Sequence, residues 1–170
     1  NQAIMEFGAR QCKPKTPDCL VCPLNVNCVA LHKNKINALP LKLKKTKITT
    51  RYCNFLVFKS GDNKTILEQR EGKGIWQNLF QFPLIETNKK TDYKELKELA
   101  KRHELLSAKQ FDLSLYNKDP IIHKLSHQHL YAKFWIVQVE SLEPRGISFS
   151  EIRDYPVPRL IENFIEDFNF

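Results

Sequence analysis

Four cysteines lie within seventeen consecutive residues, in the segment CKPKTPDCLVCPLNVNC. They are Cys12, Cys19, Cys22 and Cys28, separated by gaps of six, two and five residues. Thiolates are the ligands that soft metals prefer, and ligation can stabilise a loop that has few apolar residues to bury. The spacing therefore predicts a metal-binding loop.

The spacing gives less information about which metal binds. A structural zinc site usually has two separated pairs of ligands, each with a gap of about two to four residues. Only Cys19 and Cys22 form such a pair here. The longer outer gaps wrap around a larger object and favour an iron–sulfur cluster, although they do not match the ferredoxin spacings. From the residues alone, a soft metal is predicted, and a cluster is preferred over a single ion.

The chain is basic, with 27 Lys and Arg against 19 Asp and Glu and a net charge of +8. The excess is concentrated in one acid-free segment, whose cations are Lys33, Lys35, Lys42, Lys44, Lys45, Lys47 and Arg51. A field of this sign attracts polyanions, of which nucleic acid is the commonest in a cell. We expect DNA contacts at Lys42, Lys44 and Lys45; the alternative is a solvated linker.

The start of the chain, NQAIMEFGARQC, lacks the basic residues and apolar stretch of a secretory signal, so a reducing cytosol is predicted. No apolar run approaches the roughly 18 residues of a membrane span, so no membrane partner is expected. Five cysteines cannot all pair within the chain, which disfavours a disulfide framework. Cys53 falls in a predicted strand, where we expect a small buried residue.

Three parts are predicted along the chain. Residues 1–32 form a short helix and the cysteine loop, residues 33–50 a basic connector, and residues 51–170 a mixed domain. The helix has an apolar face, with Ile4 and Phe7, from its first turn, so we expect the sequence to be part of a longer protein.

The mixed domain is predicted to be an α+β domain, because strands, a helix, strands and a closing helix follow one another. RYCNFLVFKSGDNKTILEQR predicts a hairpin, and DYKELKELAKRHELL predicts a helix with Leu96, Leu99 and Ala100 on one face. IIHKLSHQHLYAKFWIVQV predicts strand, turn and strand. PVPRLIENFIEDFNF predicts a final helix after Pro158.

The segment NQAIMEFGARQC, with the following C-x6-C-x2-C-P-L-x-x-x-C pattern, resembles the cluster loop of the A/G-specific adenine DNA glycosylases, the MutY family. The resemblance implies that the four clustered cysteines ligate a 4Fe-4S cluster, which in that family is structural and supports DNA binding. It also implies that Lys13 and Lys15 face DNA phosphates, for which the alternative is a role in solubility alone.

The remainder resembles the C-terminal domain of the same family, which is similar in fold to Nudix hydrolases. GIWQNLFQFP is similar to its W-x-x-L-x-x-F-P segment, and KLSHQHL to its F-S-H loop. The resemblance implies a Nudix-like mixed sheet with flanking helices, and places Leu125, Ser126 and His127 against 8-oxoguanine in DNA. Leu125 replaces the usual Phe, and a leucine can still wedge between bases.

Ser126 suits this role chemically. Oxidation gives guanine a hydrogen on N7 and a carbonyl at C8, whereas ordinary guanine has a bare N7 acceptor. A hydroxyl can accept a hydrogen bond from N7–H and donate one to the new oxygen. The alternative is a turn with three ordinary polar residues.

The resemblance predicts part of an enzyme that excises adenine opposite 8-oxoguanine or guanine in base-excision repair. The expected partners are double-stranded DNA with 8-oxoguanine:adenine mispairs and an upstream catalytic domain of the same protein, in the bacterial cytoplasm at the nucleoid. No residue here can be assigned the acid or the carboxylate of glycosylase chemistry, so this part alone is predicted to be inactive.

Two alternatives come from other classes of protein. One is a zinc-bearing nucleic-acid-binding module. The other is a Nudix nucleotide hydrolase, whose box needs carboxylates for Mg²⁺. Glu86, Glu95 and Glu98 fit that box, but its other positions hold Phe80, Lys94, Leu99 and Lys101. We therefore expect the Nudix fold without that activity.

Overall fold

A computed structural model describes residues 1–39, 41, 47–106, 110–168 and 170. The predicted DNA contacts Lys42, Lys44 and Lys45 lie outside the described residues. The chain forms two compact units, Asn1–Lys47 and Ile48–Phe170.

The first unit contains helix α1 (Gln2–Gln11) and the short helix α2 (Val29–His32). Single turns of 3-10 helix occupy Asn25–Asn27 and Ile36–Ala38. Helix α1 ends at Cys12, whose N–H donates to the carbonyl of Gly8 (2.9 Å). None of the described residues of the first unit is fully buried. Apolar packing therefore contributes little to the stability of the cysteine loop.

The second unit is built on two long parallel strands, β1 (Thr49–Ser60) and β8 (Gln128–Val139). They pair over their whole length, from Thr49 opposite Gln128 to Ser60 opposite Val139. Strand β5 (Leu84–Thr87) pairs antiparallel with the other edge of β1. Strands β6 (Asp112–Leu115) and β7 (Ile121–Lys124) pair antiparallel with β8. The result is a mixed sheet.

One face of the sheet packs against helix α4 (Arg159–Phe168). This α4-side core consists of Cys53, Phe55, Val57, Phe82, Leu130, Ala132, Phe134, Ile136, Ile152, Leu160, Ile161, Phe164 and Ile165. Phe164 stacks on Phe134 with ring centroids 4.0 Å apart. The predicted final helix is confirmed, and its buried residues face the sheet.

The opposite face packs against helix α3 (Tyr93–Lys101). This α3-side core consists of Leu56, Phe58, Ile66, Leu96, Ala100, Leu106, Leu113, Trp135, Val137, Val139 and Leu142. The side chain of Asp92 caps α3 by accepting a hydrogen bond from the N–H of Glu95 (2.8 Å). A mixed sheet between two helices confirms the predicted α+β class.

The predicted hairpin after β1 is wrong. Strand β2 (Lys64–Thr65) pairs with β9 (Ile147–Ser148) and not with β1. The physical reason lies at Ser60, whose hydroxyl contacts both the N–H and the carbonyl of Lys64 at 3.1 Å. Because the Ser60 side chain forms hydrogen bonds with these two backbone groups, they do not pair with β1. The chain leaves the sheet there.

The segment GIWQNLFQFP begins in the loop between two short strands and continues through the second of them. Strand β3 (Glu68–Gln69) pairs with β4 (Phe80–Gln81), and the loop between them contains Trp76. Trp76 has a φ of 61° and packs against the α4-side core. The segment GIWQNLFQFP therefore contributes to the core of this unit.

Cys53 is 3% exposed, as predicted, and burial raises the pKa of its thiol to about 11. Within the described part of the chain, no helix combines the length and apolarity needed to cross a membrane.

Candidate functional site

The four clustered cysteines line a single cavity of about 460 Å³ in the first unit. Cys12 is exposed, and the other three are partly buried. The pKa of the Cys19 thiol is raised, first by its burial and then by the other three thiols. The long gaps of the sequence thus bring all four sulfur atoms to one space.

The four thiols share one cavity but are not grouped as they would be around a single metal ion. Among the described residues, no three His, Cys, Asp or Glu side chains are grouped closely enough to hold one metal ion. A zinc ion draws its sulfur ligands together, because each Zn–S bond is only about 2.3 Å long. A cavity of about 460 Å³ lined by four thiols has room for a cluster of several iron and sulfur atoms.

Hydrogen bonds from side chains to the backbone help to hold the cysteine loop. The side-chain amide of Gln11 donates to the carbonyl of Asp18 (2.5 Å), and the side-chain amide of Asn25 donates to that of Leu20 (3.3 Å). Lys13 and Lys15 lie on this loop, and both are exposed. Their ammonium groups are therefore accessible to an anion such as a phosphate.

Leu125, Ser126 and His127 form the turn between β7 and β8. The Leu125 N–H closes the turn by donating to the carbonyl of Gln128 (2.9 Å). Ser126 and His127 are exposed, and the Ser126 hydroxyl lies 3.0 Å from Nδ1 of His127. Leu125 is half-buried and packs against the α4-side core. The turn thus presents two polar side chains and anchors its third residue.

The first residues of β1 hold this turn in place. Both the N–H and the hydroxyl of Thr49 donate to the carbonyl of His127, each at 3.1 Å. The Arg51 guanidinium donates to Oε1 of Gln128 (3.1 Å) and makes two hydrogen bonds of 2.6 Å to Glu86. Because charge-assisted bidentate pairs are the stronger kind, this contact fixes β5, β1 and the end of the turn together.

The Arg51–Glu86 pair shifts the pKa of both of its side chains. Hydrogen bonding to Arg51 lowers the pKa of the Glu86 carboxyl, and hydrogen bonding to Glu86 raises the pKa of Arg51. The sequence marks Arg51 only as a cation of the basic segment, and it does not mark Thr49 or Gln128. Their contacts depend on the register of the β1–β8 ladder, which no local pattern encodes.

Each of the three glutamates that fit a Nudix box forms an ion pair with a different basic residue. Glu86 is paired with Arg51, and Glu95 lies 3.3 Å from Lys89. Glu98 lies 2.7 Å from Lys101 on the same helix. Each carboxylate therefore already has a cationic neighbour within the described residues.

Comparison with known proteins agrees with this architecture. The family model for the NUDIX domain matches residues 54–167. The crystal structure of the C-terminal domain of mouse MUTYH in complex with human PCNA superposes with a TM-score of 0.51. That match covers 69% of this chain and 86% of the mouse domain at 16% identity, and so shows the fold. Because the family model matches more than half of the chain, the chain belongs to the NUDIX domain family.

Curated relatives narrow the resemblance. An adenine DNA glycosylase of Buchnera aphidicola subsp. Schizaphis graminum is 42% identical over 91 residues, covering 54% of this chain and 26% of that protein. An adenine DNA glycosylase of Buchnera aphidicola subsp. Baizongia pistaciae is 30% identical over 142 residues, covering 81% and 36%. The predicted resemblance to the C-terminal, NUDIX-like part of MutY-type glycosylases is confirmed. The chain spans about a third or less of these relatives' length.

Proposed function

We propose that this chain is the C-terminal part of an adenine DNA glycosylase that removes adenine mispaired with 8-oxoguanine or guanine in base-excision repair. In this proposal, the chain binds double-stranded DNA and recognises 8-oxoguanine. The observation that carries the proposal is the exposed Ser126–His127 pair, which lies at the tip of a turn braced by Thr49 and Arg51.

The hydroxyl of Ser126 would contact the two groups that distinguish 8-oxoguanine from guanine. When Nδ1 of His127 donates to the Ser126 oxygen, the serine O–H remains free to donate to the C8 carbonyl. The remaining lone pair of the oxygen can accept from N7–H. The brace matters because contacts within a fixed turn cost less ordering entropy on binding.

We propose that Cys12, Cys19, Cys22 and Cys28 hold a 4Fe-4S cluster. When bound, the cluster would supply soft, charged iron centres that tie the four thiolates together. The shared cavity of the four thiols supports this set of ligands. The exposed Lys13 and Lys15 would then be fixed in position to contact DNA phosphates.

We propose that a catalytic domain upstream of Asn1 hydrolyses the N-glycosidic bond that joins adenine to the deoxyribose. We also propose that this chain alone is inactive as a glycosylase. No residue is assigned a catalytic role here. The pairing of Glu86 with Arg51 supports a NUDIX fold used for recognition instead of Mg²⁺-dependent hydrolysis. The proposal places the protein at the nucleoid in the bacterial cytoplasm.

Replacing Ser126 with alanine should reduce discrimination between duplexes with 8-oxoguanine:adenine and guanine:adenine mispairs. One hydrogen bond contributes about 0.5–1.5 kcal/mol, so a loss of roughly 2- to 12-fold in the ratio of the two Kd values is expected. The double variant Ser126→Ala, His127→Ala should lose more. The two Kd values are measured by fluorescence anisotropy.

The matched control is Ser114→Ala, because Ser114 is also an exposed serine but lies in strand β6. This variant should keep the ratio of the wild-type chain. Full preference for 8-oxoguanine in the double variant would show that the turn is not the lesion sensor.

Changing Lys42, Lys44 and Lys45 together to glutamine should make DNA binding less sensitive to salt. Each phosphate contact contributes about −0.9 to the slope of log K against log salt, so each lost contact should flatten the slope by that amount. The slope is measured from anisotropy titrations at several NaCl concentrations. The control variant changes Lys59, Lys94 and Lys97, which carry the same charge and lie on β1 and α3. Equal slopes for the two triple variants would identify the basic segment as a solvated linker.

A further inference from the structure

The side chain of Gln128 lies at the base of the turn between β7 and β8. Gln128 is the first residue of β8, and its carbonyl accepts the hydrogen bond from the Leu125 N–H that closes the turn (2.9 Å). The next pair of the β7–β8 ladder is Lys124 opposite His129, so Leu125 and Gln128 face each other across a two-residue loop. Side chains of directly opposite residues lie on the same face of a sheet. The Gln128 amide is therefore a neighbour of the Leu125 side chain.

The orientation of the Gln128 amide is fixed by a neighbouring cation. One nitrogen of the Arg51 guanidinium, Nη1, donates to Oε1 of Gln128 (3.1 Å), and the other two make the 2.6 Å hydrogen bonds to Glu86. A guanidinium has donors only, so the amide oxygen must face Arg51 and the NH₂ group must point elsewhere. Nε2 of Gln128 has no hydrogen-bond partner among the residues that the structure describes. The turn therefore has a free, oriented hydrogen-bond donor at its base.

A donor at this position bears on which oxidised purine the turn accepts. The edge of 8-oxoguanine carries the C6 carbonyl, N7–H and the C8 carbonyl in a row. In the proposed function, the Ser126 hydroxyl contacts N7–H and the C8 carbonyl. The C6 carbonyl remains, and it is an acceptor. 8-Oxoadenine has the same N7–H and C8 carbonyl but carries an amino group at C6, which is a donor.

We propose that Gln128 is a specificity-determining residue, whose NH₂ group donates to the C6 carbonyl of 8-oxoguanine and thereby rejects 8-oxoadenine. This inference rests on the proposed function and deepens it, since Ser126 contacts only the groups that the two oxidised purines share. Against 8-oxoadenine, two donors would face each other without an acceptor.

Arg51 and Glu86 act through Gln128 as positioning residues. Because Arg51 already orients the amide, less conformational entropy is lost when the NH₂ group meets the base. Glu86 in turn holds Arg51 by two hydrogen bonds. A carboxylate that fits the Nudix box would thus serve base recognition.

The test measures Kd by fluorescence anisotropy for four duplexes that carry guanine, 8-oxoguanine, adenine or 8-oxoadenine at one position. Each base is placed opposite an abasic-site analogue, so that differences in base pairing do not contribute. Two ratios of Kd values are compared: 8-oxoguanine against 8-oxoadenine, and 8-oxoguanine against guanine. The wild-type chain should bind the 8-oxoguanine duplex about fivefold or more tightly than the 8-oxoadenine duplex.

Gln128→Ala should lower the preference for 8-oxoguanine over 8-oxoadenine by roughly 2- to 12-fold, the loss expected for one hydrogen bond. It should change the preference for 8-oxoguanine over guanine by less than about twofold, because the C6 carbonyl is common to these two bases. Gln128→Glu keeps an oxygen for Arg51 and replaces the NH₂ group with an acceptor, so it should shift the preference towards 8-oxoadenine.

Arg51→Lys tests the positioning role. A lysine keeps the charge but lacks the planar fork that holds Glu86 and Gln128 together. The variant should lower the preference for 8-oxoguanine over 8-oxoadenine, and adding Gln128→Ala should lower it no further, since the two side chains act as one unit. Gln138→Ala is the matched control, because Gln138 is exposed near the other end of β8. It should keep both ratios, and a thermal melt of each variant establishes that it is folded.

The proposal is overturned if Gln128→Ala leaves the ratio between the two oxidised purines unchanged. It is also overturned if this variant weakens binding to all four duplexes equally, a result that would identify a contact to the DNA backbone. Equal affinity of the wild-type chain for 8-oxoguanine and guanine would overturn the proposed function, and this inference with it. Because both ratios are measured on the same protein, the two failures are distinguishable.

Discussion

Replacing Phe164 with alanine should lower the free energy of unfolding of the Ile48–Phe170 unit by about 3–5 kcal/mol. Phe164 is buried on α4 and stacks on Phe134 with centroids 4.0 Å apart. Its ring also meets Phe82 and Tyr116 edge-on at 5.5 and 5.1 Å. The truncation would leave a cavity among rigid aromatic rings that cannot collapse to fill it. Urea denaturation followed by circular dichroism measures the change.

Phe168→Ala is the matched control on the same helix. Phe168 is only partly buried, so its truncation removes less apolar surface from the folded state. It should cost less than half as much as Phe164→Ala. Equal costs for the two variants would contradict a core centred on Phe164.

Replacing Cys19 and Cys22 with alanine should abolish iron binding. The wild-type chain, reconstituted anaerobically with iron and sulfide, is expected to turn brown and to contain about four iron and four sulfide per chain. The double variant removes two of the four thiolates around the 460 Å³ cavity, which leaves too few ligands for one cubane. Iron, acid-labile sulfide and visible absorbance are measured on both proteins.

Cys53→Ala is the control for this experiment. Its thiol is buried in the α4-side core and has a raised pKa, so it is not available as a thiolate ligand. The variant should retain the full iron and sulfide content. Stoichiometric zinc without sulfide, in wild-type protein made with ample iron, would instead favour a zinc-bearing module.

The elements with strong local periodicity could be predicted from the sequence. Strand β8 alternates apolar residues over Leu130, Ala132, Phe134 and Ile136, and all four are buried. Helix α4 follows Pro158 and has four buried apolar positions on one face. Patterns of this length indicate which residues are buried, because the apolar face of the strand and the apolar face of the helix pack against each other.

The connections between elements could not be predicted in the same way. Strands β2 and β9 contain two residues each, which is too short for any periodicity. The pairing of β2 with β9 also depends on Ser60, whose hydroxyl takes the backbone groups of Lys64. A hairpin signature describes the turn residues only, and it does not determine where the chain goes next.

The candidate site shows the same division. The four cysteines lie close to one another in the sequence, and Ser126 and His127 are neighbours. Each of these two sets carries a recognisable motif. The brace formed by Thr49 and Arg51 connects residues up to 78 positions apart, through two different strand ladders. Such contacts follow from the register of the sheet, which only the folded structure supplies.

The proposed function depends on recognition of 8-oxoguanine in double-stranded DNA by this chain. The most direct measurement is its Kd for four duplexes that differ only at one pair: 8-oxoguanine or guanine, opposite adenine or cytosine. Severalfold tighter binding is expected to both duplexes with the oxidised base, whichever base lies opposite, since each hydrogen bond to the lesion contributes about 0.5–1.5 kcal/mol. Equal affinity for all four duplexes would contradict it.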